Sequence, residues 1–445
     1  WDEQGNETAW SCESRFVMGL LDESEWAGDW IRCDQAEDHQ HIWYRKTFDL
    51  ADLPGQAITY ICSIGYHELH VNGQRIGDAV LTPGVSNLEK RALYMTYDIA
   101  GALRKGRNVI ALWTGPGWAR ADGSFGKGVW DQRPMWRGQV HLGEAVLATD
   151  TSWRCAVSSS ENIGDWRGGG RGTYGGERID GRRHVPDWNT LDFDDTAWPN
   201  AVTDTQSIEL SSALFEPDRK VKTLGPQSIE QRDGGWRIDF GENFTGWFEI
   251  DLRGGQEGEV VTIHTTNRLE VTVEYDQESE YIFDASGEGR FCHRFNWMAG
   301  RWVTVYGLGE APGIDDIRGY IVTNDRERVG SFECSNGLLN AIYEADLRTY
   351  IANTVNAAVM DCPHRERYGY GEVALACTWG CAIPNFDSGA MYTKVARDWC
   401  DVQDEDGMVN TIAPQPYHGA GGTLWSSGPV TVAWEFYRSY GDTRV

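Results

Sequence analysis

The hydrophobic period of this chain changes near residue 330, and that change restricts it to a β-first, α-last architecture. From about residue 28 to 325, apolar residues come in short alternating or β-branched runs bounded by turn residues. Runs at 41–50, 57–64, 67–71, 108–113 and 139–147 read as strands. Asn72-Gly73, flanked by Leu69, Val71 and Ile76, is the strongest hairpin signal. Residues 156–200 are rich in Gly, Asp, Arg and Trp and are predicted as long loops. A second block, at about 218–325, carries runs at 236–240, 247–252, 260–265 and 302–305. The two blocks predict two β-sandwiches. Beyond them Leu338, Leu339, Ile342, Tyr343, Ala345 and Leu347 recur at helical spacing behind Asn336, a natural N-cap. Asp387 is predicted to cap a helix carrying Met391, Val395 and Trp399. Val430, Trp434 and Tyr437 mark a last helix that closes before Gly441.

A length of 445 residues calls for two to four domains. Hydrophobic content of 40% with 24% charged residues is that of a globular protein, and no apolar run reaches membrane length. A net charge of −27 argues against nucleic acid, whose phosphates need a basic surface, and suits a neutral substrate. No metal or cofactor is expected. Ten cysteines permit disulfides without showing them, and no Cys/His quartet has zinc spacing. Cys377 and Cys381 read as two small apolar residues on a helix. His39 and His41 read as a solvated strand face. The glycine-rich stretch 168–176 lacks the strand-before, helix-after setting of a phosphate loop. The 21 tryptophans suit sugar stacking, yet any single one reads first as core.

The chain starts at Trp1 with no signal peptide to read, so a periplasmic or secreted location is favoured only on general grounds. Both ends look like interrupted elements, and the sequence is expected to be cut at each. Homo-oligomerisation is left open.

The densest chemistry lies at residues 361–372. Asp361, Glu366 and Glu372 gather with His364, Arg365 and Arg367 around Pro363, Gly369 and Gly371, in a turn between helices. Ionised groups collect in such a place when they are solvated, paired or functional. Paired carboxylates beside arginine are the equipment of acid–base chemistry at a glycosidic bond. The competing reading is a salt-bridge cluster that locks the turn. That reading is preferred for Arg367, disfavoured for Glu366 and balanced for Asp361 and Arg365.

The order of motifs resembles the inverting bacterial α-L-rhamnosidases of glycoside hydrolase family 78, over essentially the whole chain. Trp26-Ala27-Gly28-Asp29-Trp30-Ile31 is similar to the opening of that family's jelly-roll module. Gly65 to Gly73 with Gly77-Asp78, Leu81, Pro83-Gly84 and Gly117-Trp118 is similar to its body. Asp239 to Gly246 resembles the marker of a second sandwich, and Gly330 to Asn336 the start of a six-hairpin (α/α)6 toroid. Asp361-Cys362-Pro363 through Arg365-Glu366-Arg367 and Gly369 resembles the catalytic signature. The signature is one residue short between His364 and Glu366. Tyr370 replaces a tryptophan, and Val373 stands where an aspartate is usual, with Glu372 beside it. Trp425-Ser426-Ser427-Gly428 replaces a tryptophan followed closely by Gly-Asp.

The resemblance implies four parts: 1–27, the end of a fibronectin-III-like domain; 28–215, a jelly-roll β-sandwich of carbohydrate-binding type; 216–328, a second sandwich; 329–445, the first part of the toroid. It implies release of terminal α-L-rhamnose from a rhamnose-containing carbohydrate, with Glu366 as general acid. Asp361 and Arg365 would hold sugar hydroxyls or each other. Tyr370, Trp379 and Trp425 would wall the sugar face, and Glu372 would substitute for the missing aspartate. Six helical hairpins, at about 11–12 residues a helix, need well over about 170 residues. Residues 330–445 are fewer, so the general base is expected beyond residue 445. Two rivals remain: a polysaccharide lyase using His364, Tyr368 or Tyr370 as base, and a carbohydrate-binding protein without turnover.

Overall fold

The structure, a computed structural model, describes residues 3–7, 9–14, 16–122, 128–164, 174–414 and 422–444; of residues 120–122 and 128–131 only the backbone is described. Most of the stretch 168–176 therefore lies outside the described residues. The described residues ahead of Trp30 hold one 3-10 turn, Glu23–Glu25, capped by Asp22, and no strand.

The first β block is two sheets face to face. A seven-stranded sheet runs in the order Val202–Asp204, Trp30–Arg32, Met135–Leu142, Ala57–Ile64, Arg91–Asp98, Glu209–Ser212, with Ala145–Ala148 beside Met135–Leu142. It packs on the half of a fourteen-stranded sheet that contains Arg154–Ile163, Gln40–Leu50, Gly106–Gly115 and Tyr66–Val71. Ile31, Ile61 and Trp136 from one sheet meet Ile42, Tyr44, Ile110 and Leu112 from the other. Asn72 and Gly73 both have positive φ, 51° and 85°, which is what a two-residue hairpin turn between Val71 and Gln74 requires.

The large sheet continues into the second block through a parallel pair, Gly176–Asp180 with Glu278–Ile282. There Gly235–Arg253 is one strand of 19 residues, where two strands were expected at 236–240 and 247–252. Its register against Met298–Tyr306 breaks between Asp239 and Phe244, and the bend lets it pair with Ser228–Arg232 at one end and Glu288–Cys292 at the other. Phe240, Phe244, Phe248, Ile250 and Val303 fill the core that it wraps.

Three expectations are corrected here. Residues 156–200 are not all loop, because Arg154–Ile163 and Gly176–Asp180 are strands of the large sheet. The 139–147 run is a hairpin of two strands, Met135–Leu142 and Ala145–Ala148. His41 is no solvated face: it is fully buried, with its ring nitrogens 2.8 Å from Ser160 Oγ and 3.0 Å from Asn162 Oδ1. Burial pushes its pKa down to about 4.

The helical part holds α1 (Gly337–Ala352), α2 (Gly371–Cys377), α3 (Ile383–Asn385), α4 (Gly389–Asp401) and α5 (Gly428–Tyr440). Asn336 Oδ1 accepts from the amides of Leu338 and Leu339 at 2.9 and 3.4 Å, as its cap role predicts. Gly441, at φ 69°, closes α5. Ser388, rather than Asp387, is the N-cap residue of α4; Asp387 Oδ1 accepts from the Gly389 amide at 3.3 Å. Leu347, Tyr350, Met391, Trp399, Val432 and Phe436 form the helical core. Leu338, Leu339, Ile342, Val430, Trp434 and Tyr437 are exposed. Among the described residues no helix is long and apolar enough to cross a membrane.

Candidate active site

The 361–372 segment is held from both sides before its own side chains are considered. On its N-terminal side a small hairpin, Thr354–Val355 with Ala358–Val359, enters the core of the β region. Asn356, at the hairpin tip, donates from its amide to Asp218 Oδ2 at 2.6 Å and from Nδ2 to Leu81 O at 3.1 Å. Its Oδ1 accepts from Trp118 Nε1 at 3.0 Å and from the Tyr66 hydroxyl. On the C-terminal side, residues 369–371 run beside 411–413. Ala413 N donates to Gly369 O and Gly371 N to Thr411 O, both at 3.0 Å. A side chain at Gly369 would meet Ala413 O, and one at Gly371 would meet Trp425 O, which is why both positions take glycine.

Within that frame the chain folds back on itself. Asp361 N donates to Tyr368 O at 3.0 Å, and Tyr368 N returns to Asp361 Oδ1 at 3.2 Å. The Cys362 thiol donates to Asp361 Oδ2 at 2.8 Å. Tyr370 OH donates to Glu366 Oε2 at 2.9 Å, and Arg365 Nη2 lies 2.8 Å from Glu366 Oε1. Glu366 is thus gripped on one oxygen by a phenol and on the other by a half-exposed guanidinium. Carboxylate oxygens of Asp361 and Glu366 come within 4.8 Å of each other. Burial pushes the Asp361 pKa up to about 6, and the Glu366 charge adds to the shift. Burial and the nearby Asp361 push the Cys362 thiol up to about 12. Burial and the bond to Glu366 raise Tyr370 as well.

The predicted residues separate into groups. Asp361, Arg365, Glu366 and Tyr370 form one cluster. Glu372 and Trp425 form a second contact, with the Trp425 side chain hydrogen-bonded to the Glu372 carboxyl. Burial raises the Glu372 pKa, and its Oε2 is buried without a hydrogen-bond partner. Trp379 stands on the wide helical turn Thr378–Ala382, 59% exposed, and makes no hydrogen bond or ring contact with the cluster among the described residues. Arg367 turns away into the β region, where carbonyls, an amide oxygen and two rings hold it, a structural role but not the salt-bridge cluster expected. Its guanidinium lies 3.9 Å over the Trp297 ring and 4.6 Å over Tyr174. Asp361, Cys362 and Glu366 could offer three ligand atoms to a cation, but Arg365 occupies one Glu366 oxygen and the thiol holds its proton.

Several residues that sequence reasoning missed touch this site. Tyr174 OH donates to Glu366 O at 3.0 Å, and Trp297 Nε1 to Pro363 O at 3.1 Å. Tyr275 meets the His364 ring at 5.0 Å and lies under Arg365 at 5.5 Å. They come from loops 66 to 192 residues away in sequence, with no local signal to mark them. A cleft of about 560 Å³ opens between the second β block and α1. Glu242, Asn243, Asn267, Trp302 and Arg348 line it, and it reaches Asp361 and His364.

Three domain models match the chain in order. They are the α-L-rhamnosidase N-terminal domain over residues 53–222, the bacterial α-L-rhamnosidase concanavalin-like domain over 229–323, and the bacterial α-L-rhamnosidase six-hairpin glycosidase domain over 327–445. A curated α-L-rhamnosidase of Formosa agariphila is 28% identical over 457 residues, covering 89% of this chain and 46% of its own. The structure of α-L-rhamnosidase from Dictyoglumus thermophilum superposes with a TM-score of 0.85 at 30% identity, covering 96% of this chain and 50% of that one. The Streptomyces avermitilis α-L-rhamnosidase complexed with L-rhamnose gives 0.81 at 24% identity, covering 91% of this chain and 40% of that one. The chain thus spans about half the length, or less, of these relatives.

Proposed function

The chain belongs to the bacterial α-L-rhamnosidases, and from that premise we propose that it works as a glycoside hydrolase releasing terminal α-L-rhamnose by inversion, with Glu366 as general acid. The observation that carries the reading is the grip on Glu366. Tyr370 fixes Oε2 from inside the fold, while Oε1 has as its partner a half-exposed arginine that an arriving substrate can displace. Oε1 is then the atom that hands its proton to the glycosidic oxygen. After transfer, Tyr370 and Arg365 both donate to the carboxylate left behind. Asp361, Glu372, Trp425 and Trp379 are assigned to the sugar. The rhamnose held by the Streptomyces avermitilis relative supports the choice of sugar.

Asp361 stands closer to Glu366 than the roughly 6.5–9.5 Å at which an inverting base leaves room for water. The base is therefore assigned to another carboxylate. The bases of a lyase are less well set, since Tyr368 is buried and His364 is edge-on to Tyr275. In the same reading, 1–27, 28–215, 216–328 and 329–445 are the fibronectin-like end, the jelly roll, the second sandwich and toroid residues.

The test is Glu366→Gln. An amide keeps the shape and most hydrogen bonds but has no acidic proton. Hydrolysis of rhamnosides with sugar or alkyl leaving groups should fall by about 10²–10⁴-fold. Nitrophenyl rhamnoside, whose leaving oxygen needs little protonation, should lose much less. Equal loss on both, tracking a lower melting temperature, would reject Glu366 as the acid.

A further inference from the structure

We propose that Tyr174 and Trp297, one from each β block, are positioning residues for the acid loop, acting through Arg367 and the main chain of Glu366; this rests on Glu366 being the acid. Arg367 is the residue after Glu366, and its backbone sits at φ 57°. That left-handed conformation is unfavourable for a side chain of this kind, so surrounding contacts must enforce it. Those contacts are in place. Its guanidinium is slotted against the Trp297 and Tyr174 rings. Nε donates to Pro363 O, Nη1 to Asn296 Oδ1 and Nη2 to Trp297 O, each at 2.9 Å. Asn296 Nδ2 donates to Tyr174 O at 3.0 Å, which ties the two β blocks to each other at the same point.

The clamp reads both ends of the loop. Pro363 O accepts from Arg367 Nε and from Trp297 Nε1. Glu366 O accepts from Tyr174 OH. Pro363, three positions before the acid, and the acid itself are thereby fixed to loop residues that lead into strands outside the helical domain. A buried cation is a weak source of stability, because desolvation offsets most of what its contacts return. A planar fork engaged by two rings and along its edge is a strong source of geometry. Proton transfer depends on that geometry, since displacement of a catalytic group by about 1 Å can cost about 100-fold in rate. The β blocks therefore do more than carry the toroid: they set the aim of Glu366 Oε1.

The experiment compares Tyr174→Phe, Trp297→Phe and Glu366→Gln in the full-length protein, on a rhamnoside with a sugar leaving group and on nitrophenyl rhamnoside, below the melting temperature of each. Tyr174→Phe keeps the ring against Arg367 and removes the hydroxyl that donates to Glu366 O and faces the Tyr368 side chain. Trp297→Phe removes the donor to Pro363 O. Each should lower kcat about 10-fold on the sugar leaving group and less than about 3-fold on the nitrophenyl one, with KM within about 2-fold. Equal losses on both substrates, or an effect confined to KM, would overturn the positioning role. If Glu366→Gln shows no leaving-group dependence, the acid assignment fails and takes the clamp with it. If Glu366→Gln behaves as an acid knockout while both Phe variants match wild type, the clamp alone fails. If one Phe variant does not fold, the other decides. Collapse of both would assign the pair to folding and refute the proposal.

Discussion

Replacing Asn356 by alanine should detach the 361–372 segment from the β region at a cost that can be worked out bond by bond. Asn356 is buried, as are the groups that it serves. Its Oδ1 is an acceptor for the Tyr66 hydroxyl and the Trp118 indole, and its Nδ2 a donor to Leu81 O and, at 3.2 Å, to Asp218 Oδ2. Alanine removes the amide from all four of these buried partners. A buried polar group left unsatisfied costs about 1–3 kcal/mol. Asn356 also sits at φ 61°, where alanine is worse than asparagine by up to about 1 kcal/mol. The total loss should be about 4 kcal/mol or more, far above the centre of the distribution for point mutants. Thermal and urea unfolding followed by tryptophan fluorescence reports it, with Trp118 itself in the disturbed region. Asn356→Gly is the control, because glycine loses the same hydrogen bonds but tolerates the turn, and it should recover about 1 kcal/mol over alanine. A loss below about 1 kcal/mol for alanine would refute the claim that these hydrogen bonds dock the segment. Glycine no better than alanine would refute the backbone part.

Asp361 carries its folded-state pKa at about 6 against an ordinary 3.8, so the folded state keeps a proton that the unfolded chain has released. Its contribution to stability is thus present below about pH 4 and lost as pH rises through 4–6; Asp361→Asn should remove that slope from the difference between variant and wild-type melting curves, and an unchanged slope would refute the raised value. Proton NMR of the first-formed sugar should show β-L-rhamnose from an α-linked substrate. Retention would instead promote Asp361 to nucleophile, since its distance from Glu366 is near the roughly 5–5.5 Å of retaining pairs. Gly371→Ala would drive a Cβ into the Trp425 carbonyl, a backbone atom that cannot swing aside, and should cost about 1–3 kcal/mol while disturbing the Glu372–Trp425 contact. A melting temperature equal to wild type would show that the 371–425 approach is not close.

What could be read from sequence is what short-range chemistry decides. Asn336 caps α1, Gly441 ends α5 and Asn72-Gly73 turns a hairpin because each needs only its own neighbours. His41 escaped the same reasoning: strand alternation marks two faces but cannot say that both will be covered, here by the seven-stranded sheet on one side and the Phe295 region on the other. Arg365 and Arg367 make the limit sharpest. They are the same residue type, two apart, on either side of Glu366, and charge alone would draw both to its carboxylate. Arg365 stays with Glu366 at 2.8 Å. Arg367, turned over by its positive φ, leaves for a slot made by Trp297 and Tyr174, where burial pulls its own pKa down to about 10. Only one of the two cations therefore pairs with Glu366, and that one is half exposed. The setting of Glu366 thus includes a tertiary slot made by residues far from 361–372, which is why a signature match points to Glu366 without showing how its loop is held.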